Sequence, residues 1–253
     1  MEVHKHPHHV THTKKWFEYL LEFIMLFLAV YLGFVAENIR ENAGERQKER
    51  EYVVEFLQDL KNDTAQLNLR IKANIKKGDA YTKLLYMAHS NLTDSINVRK
   101  VYNYFRDGAS YQIFYPSDAT ISQLKNGGGF RLINKEITDS ILSYDSYNKR
   151  ILVHNDLYLN VYNGLWDAAY KIMDLNVWVD TTYSKNHLSV TKFSWTSKPL
   201  PALSSDKLDL KVFFGILTRM IGINDFSKNY MIEQNQKAQR LITLLNNKYH
   251  IEE

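Results

Sequence analysis

The chain of 253 residues has no cysteine, only four prolines and only ten glycines. The lack of cysteine excludes a disulfide scaffold, a thiolate zinc or iron–sulfur site and a cysteine nucleophile, yet leaves the compartment open, since bacterial envelope proteins also do without it. So little proline and glycine excludes collagen-like and disordered linker-like chains. An excess of one charge is lacking as well. The 32 basic and 28 acidic side chains leave a formal net charge of +4, too even for a protein that wraps a polyanion, so nucleic acid is not an expected partner. A chain of this length can bury a sizeable core in one domain.

Signatures of chemistry are missing too. There is no GxSxG, HExxH, EF-hand loop, dinucleotide fingerprint or kinase motif. His89, His154, His187 and His250 are scattered, none with a carboxylate at metal-ligand spacing. Asp139, Asp145, Asp156, Asp167 and Asp174 recur along one segment in the manner of a solvated helix face. The expectation is a protein that is not an enzyme and that carries no cofactor.

What is present is a long apolar run. From Trp16 the chain reads WFEYLLEFIMLFLAVYLGFVAEN, and Leu20 to Ala36 holds one charged side chain, Glu22. Residues 16–36 make about 32 Å of helix, matching a hydrocarbon core of about 30 Å. Trp16, Tyr19 and Tyr31 are placed as interfacial anchors, and Lys14 with Lys15 flank the run as in a signal-anchor. Phe34 stands where a signal peptidase needs a small residue, so the segment is expected to stay attached. The expectation is one N-terminal membrane span, with a short tail on the cytoplasmic side and the C-terminal domain across the membrane. Within the span, Glu22, Ala29 and Gly33 share one face. Small residues let a second helix approach, and a carboxyl prefers protein to lipid, so this face suits self-association or a membrane partner.

Residues 1–15, MEVHKHPHHVTHTKK, carry His4, His6, His8, His9 and His12. Neutral imidazoles at this density collect divalent transition metals and gain charge together below about pH 6.5. Pro7 and the short length preorganise no ligand geometry, so a solvated tail with weak metal affinity is expected.

No proline interrupts the chain between Pro7 and Pro116, so the membrane helix is free to continue. After the charged stretch 37–51, Val53, Phe56, Leu60, Thr64, Leu67, Ile71 and Ile75 form an amphipathic stripe that predicts a stalk ending at Gly78. A second stripe runs Ile137, Ile141, Tyr144, Asn148, Ile151, Asn155, Tyr158, Tyr162, Leu165, Ala169 and Ile172 in alternating steps of four and three. That predicts a long helix packed in coiled-coil fashion, with the asparagines fixing register. Shorter helices are predicted over 79–89, 98–106 and 117–125. Two more are predicted over 206–221, closed by Gly222, and 226–248, packed through Phe226, Tyr230, Lys237, Leu241 and Leu244. Residues 176–205, rich in Thr, Ser and Val with Pro199 and Pro201, read as a loop with room for one small β-hairpin. The fold class is thus all-α, a transmembrane helix continuing into a stalk within an elongated helical bundle over 37–253.

MEVHKHPHH, WFEYLLEFIMLFLAVYLGFVAEN and ERQKEREYVVEFLQDLKNDTAQL closely resemble an uncharacterised family of small Bacteroidota membrane proteins with a His-rich start, one N-terminal span and a helical remainder. ATISQLKNGGGFRLINKEITDSILSY looks like that family's second recurrent block. The resemblance covers roughly the first 150 residues and implies a bacterial membrane location, with no activity, ligand or catalytic residue to carry over. In the second block the residues themselves predict a helix, a sharp turn at Asn126–Gly129 and a restart capped by Asn134. The triple glycine beside Lys125 and Arg131 also suggests an anion cradle, but it lacks the Walker spacing and a preceding strand. Two functions are compatible with the whole: a membrane-anchored interaction or scaffold protein, and a sensory module that acts through a membrane partner.

Overall fold

The computed structural model describes residues 15–184, 187–193 and 200–251. The elements are α1 (Trp16–Tyr86), α2 (Ser95–Gly108), α3 (Ala119–Asn126), α4 (Lys135–Ile172), β1 (Val179–Ser184), β2 (His187–Phe193) and α5 (Lys207–Tyr249). The protein is a helical bundle with one two-stranded antiparallel sheet, in which Val179 pairs with Phe193 and Ser184 with His187. That hairpin falls where the Thr- and Val-rich segment predicts it. The chain divides into two compact units, Met1–Glu51 and Tyr52–Glu253.

In the first unit, α1 carries a stretch long and apolar enough to cross a membrane, and none of it is buried. Phe23, Leu26, Leu32 and Phe34 are all exposed, which distinguishes this stretch from the core helix of a soluble fold. The five tail histidines lie outside the described residues.

In the second unit, the hydrogen-bond partners fix the helix directions. Asp63 meets Tyr144 and Lys77 meets Tyr158, both across a separation of 81 residues, so α1 and α4 run parallel. Asn148 meets Gln234, and His154 meets Ser227, so α5 runs antiparallel to α4. A parallel pair needs a crossover connection, and residues 87–134, with α2 and α3, supply it. Two larger apolar lobes result, with a small cluster of Leu67, Phe114, Tyr147, Ile151 and Met231 besides. One gathers Val53, Phe56, Leu60, Ile137, Ile141, Leu241 and Leu245. The other gathers Tyr81, Tyr102, Phe105, Leu165, Phe213 and Leu217.

Helix starts follow local chemistry. The Asp94, Asn134 and Asp206 side chains accept from free N–H groups at the starts of α2, α4 and α5. The glycine turn between α3 and α4 holds Gly128 at φ 66°, the left-handed region. A Cβ on Gly129 would stand 2.8 Å from a Leu124 methyl and 3.1 Å from the Tyr52 ring of α1. The glycines therefore serve close packing, as the sharp-turn prediction requires. Lys125 is engaged by Asp145 at 2.7 Å, which removes its amine from any anion cradle.

Two predicted helix boundaries and one predicted stripe are corrected. Gly78 does not end α1, which runs to Tyr86, and Gly222 does not divide α5, which is one helix of 43 residues. A lone glycine costs a helix only about 1 kcal/mol, less than the packing of the flanking turns returns. The C-terminal stripe is also rotated: Phe226 is exposed, and the buried face runs through Met231, Gln234, Ala238, Leu241 and Leu245.

Gly129→Ala forces Leu124 and Tyr52 to move and is expected to lower stability by about 1–3 kcal/mol. Urea denaturation of the detergent-solubilised chain measures it, and an unchanged midpoint would contradict the packing role of this glycine.

Candidate functional site: a polar seam in the bundle core

The buried faces of the three long helices keep heptad phase without interruption. On α1 the buried positions in that phase are 53, 56, 60, 63, 67, 74, 77, 81 and 84, with Arg70 half-buried; on α5 they are 213, 217, 220, 224, 227, 231, 234, 238, 241 and 245; Leu57, Ala80 and Ile223 are buried beside them. The α4 positions are those of the predicted stripe, all buried except the half-buried Tyr162. Midway along each helix the phase passes through polar residues: Asp63, Asn74 and Lys77 on α1, Asn148 and Asn155 on α4, and Asn224, Ser227 and Gln234 on α5.

Their partners explain much of this. Residues 109–118 link α2 to α3 as irregular backbone, with Ile113 and Phe114 buried. Such backbone has no ladder to satisfy it and must find side chains. Asn155 Nδ2 donates to the Phe114 carbonyl at 2.8 Å, and the Tyr162 hydroxyl donates to the Ala109 carbonyl at 2.6 Å. Asn74 Nδ2 donates to the Gln112 carbonyl at 3.4 Å and to the Arg70 carbonyl at 3.0 Å. At the far end of this strap, the Ser117 N–H and hydroxyl both donate to Asp63 Oδ1 at 2.9 Å. The neighbouring Asp59 Oδ2 accepts from the Thr120 hydroxyl at 2.7 Å.

Asp63 also accepts from the Tyr144 hydroxyl at 2.6 Å. Burial raises the Asp63 pKa, opposed by the bonds from Tyr144 and Ser117. The Tyr144 phenol is pushed up by burial and by the adjacent carboxylate. The Asp63 carboxyl thus accepts from three donors, the Ser117 N–H and hydroxyl and the Tyr144 phenol.

Two heptads further along, Lys77 is fully buried and donates to the Tyr158 hydroxyl, with its nitrogen 5.0 Å from that ring centroid. No carboxylate pairs with it among the described residues. Burial lowers its pKa from 10.5 to about 7. Beside it, the Asn74 and Asn224 side-chain carbonyls have no hydrogen-bond partner, nor does that of Gln234. Each such group costs about 1–3 kcal/mol relative to a satisfied one.

His154 and Ser227 form the arrangement nearest to a catalytic pair. The ring Nε2 lies 2.8 Å from Ser227 Oγ, and a hydrogen bond to the Ile223 backbone holds the ring. Ser227 is buried within α5, where the neighbouring backbone N–H groups are spent on the helix and are not available to an oxyanion. The described residues contain no group of three or more His, Asp or Glu that could hold a metal ion.

Of the predicted site residues, Glu22, Ala29 and Gly33 lie exposed on α1, and a Cβ on Gly33 would meet nothing within 4 Å. They are not brought together with the seam. The seam residues of α1 and α5 escape a search for apolar stripes, because Asp63, Lys77 and Gln234 occupy core positions. The unbroken heptad phase is the signal that finds them.

Comparison of the chain with protein-family models, with curated proteins and with solved structures finds no match.

The Lys77 environment makes stability depend on pH. Unfolded, its amine titrates near 10.5; folded, near 7. Between those values the unfolded chain binds the extra proton, so stability rises with pH across that window, and below it Lys77 adds no slope. Lys77→Met is expected to raise stability at pH 7 by about 2 kcal/mol, part of the desolvation penalty being offset by the lost bond to Tyr158. It should also flatten the rise between pH 7 and 10.5. Urea midpoints measured across that range would contradict this if the variant kept the wild-type slope.

Proposed function

We propose that the protein is a membrane-anchored interaction or scaffold protein of the bacterial envelope. The observation that carries this is α1 itself. One unbroken helix, Trp16–Tyr86, contains both an exposed apolar stretch long enough to cross a membrane and one of the three buried seams of the bundle. A helix so built makes the anchor and the folded unit one element, as suits a protein that presents a binding surface at a membrane. The basic flank and aromatic anchors support a single-pass signal-anchor in the inner membrane, with the tail cytoplasmic and the bundle periplasmic. The exposed Ala29 and Gly33 face supports a second copy or a membrane protein as neighbour in the bilayer. The resemblance of the N-terminal blocks to the Bacteroidota membrane proteins supports the same location.

A regulatory role is favoured by the seam. Its unsatisfied carbonyls and buried amine leave the bundle centre less stable than an apolar core, and a ligand or partner that shifts helix packing would act there first.

The two roles separate in a purification from detergent-solubilised membranes. A stable co-purifying protein is expected for the first; its absence, together with a ligand that raises the melting temperature, would favour the second. Reporter fusions at both ends test the placement, and a cytoplasmic C-terminal reporter would overturn the periplasmic assignment.

A further inference from the structure

The outer face between α4 and α5 is hollowed and carries exposed apolar side chains. Two adjoining hollows of about 540 and 440 Å³ share His154, Leu157 and Tyr230 and form one continuous trough. Val153 on α4 is 72% exposed and Phe226 on α5 is 63% exposed, with Leu157 at 44%. These are helix-interior positions where a solvated face would carry charge. The floor is low, since Gly222 lines the trough and a Cβ there would meet nothing within 4 Å.

Charge marks the two ends. Arg150 lines one hollow and Arg219 the other, both exposed. Neither has a carboxylate within ion-pair distance among the described residues. Nearby acids are occupied: Asp145 holds Lys125 and Lys149, Asp225 holds Lys228, and Glu233 accepts from Tyr147. In the register set by Asn148 with Gln234 and His154 with Ser227, Arg150 lies level with residue 231 or 232 of α5. The guanidinium-bearing positions are therefore roughly 18 Å apart along the trough, about three turns of helix.

We propose that this trough docks an amphipathic helix of a partner protein, one whose apolar stripe is flanked near each end by a carboxylate. The partner's stripe covers Val153, Leu157 and Phe226, its backbone approaches over Gly222, and its carboxylates pair with Arg150 and Arg219. Two cations at opposite ends of an apolar path fit an extended helix better than a single-headed amphiphile, which satisfies one end alone. The proposal rests on the interaction role above and names the partner's chemistry.

The test uses the full chain in its native membrane, with p-benzoylphenylalanine in place of Val153 or Phe226, photolysis, and sequencing of the attached peptide. Both positions are expected to attach to one segment with apolar residues at three- and four-residue spacing and acidic residues near its ends. Arg150→Glu with Arg219→Glu should cut the yield at both positions about tenfold, and lysine in place of the partner's acidic residues should restore it. Attachment to phospholipid, to another copy of this chain or to a segment without that pattern would overturn the proposal. So would no attachment, or a yield unchanged by the charge reversals. If a partner still co-purifies with the charge-reversed chain, the trough is refuted while the interaction role stands; if nothing co-purifies with the unaltered chain, the role itself fails.

Discussion

A stretch of irregular backbone anchored by the buried Ile113 and Phe114 is the constraint from which part of the polar character of the core follows. Because α1 and α4 are parallel, the chain must return from the end of one to the start of the other, and it does so by laying residues 109–118 against the bundle. Peptide groups removed from water without a ladder each need a partner. The Phe114, Ala109 and Gln112 carbonyls and the Ser117 N–H find theirs in Asn155, Tyr162, Asn74 and Asp63. Where the crossover meets the seam, Asp63, Asn74 and Asn155 stand beside a small apolar cluster of Leu67, Phe114, Ile151 and Met231, and the two larger lobes are apolar.

The same residues set the register. Asp63 with Tyr144 and Lys77 with Tyr158 are equivalent pairs two heptads apart, so a slip of one helix along the other breaks both together. An apolar seam would pack more favourably and would tolerate such slips, the general trade of stability for specificity in helical seams. Lys77 does not serve the strap; its hydrogen bond goes to Tyr158, and it remains costly at neutral pH because burial opposes its charge.

Much of this was legible in the sequence, and the part that was not has one cause. The α4 stripe could be traced because its polar members are asparagines flanked by isoleucine and tyrosine, so the heptad phase survived to Ile172. On α1 the phase passes through Asp63, and Thr64 offered a less polar neighbour one position on; following it rotates the stripe until Ile75, which is 48% exposed, takes the place of Asn74. On α5 the same substitution of apolar for polar chose Phe226 and Tyr230 over Ser227 and Gln234. Phe226 and Tyr230 line the outer trough, so α5 carries two faces able to bury surface. The strap's hydrogen bonds join residues roughly forty to fifty positions apart and leave no local pattern.

In functional terms the second unit combines a pinned interior with an apolar outer face, and α1 joins it to the membrane-length stretch of the first unit in one helix. The account turns on the seam existing to satisfy the strap, and Asn155→Leu tests that most directly. The substitution keeps the branched shape with larger end groups and leaves the Phe114 carbonyl unpaired. Measured by urea denaturation with amide hydrogen exchange on the same protein, it should lose about 1–3 kcal/mol and speed exchange selectively across residues 109–118. Equal or greater stability with unchanged protection of that strap would contradict the account.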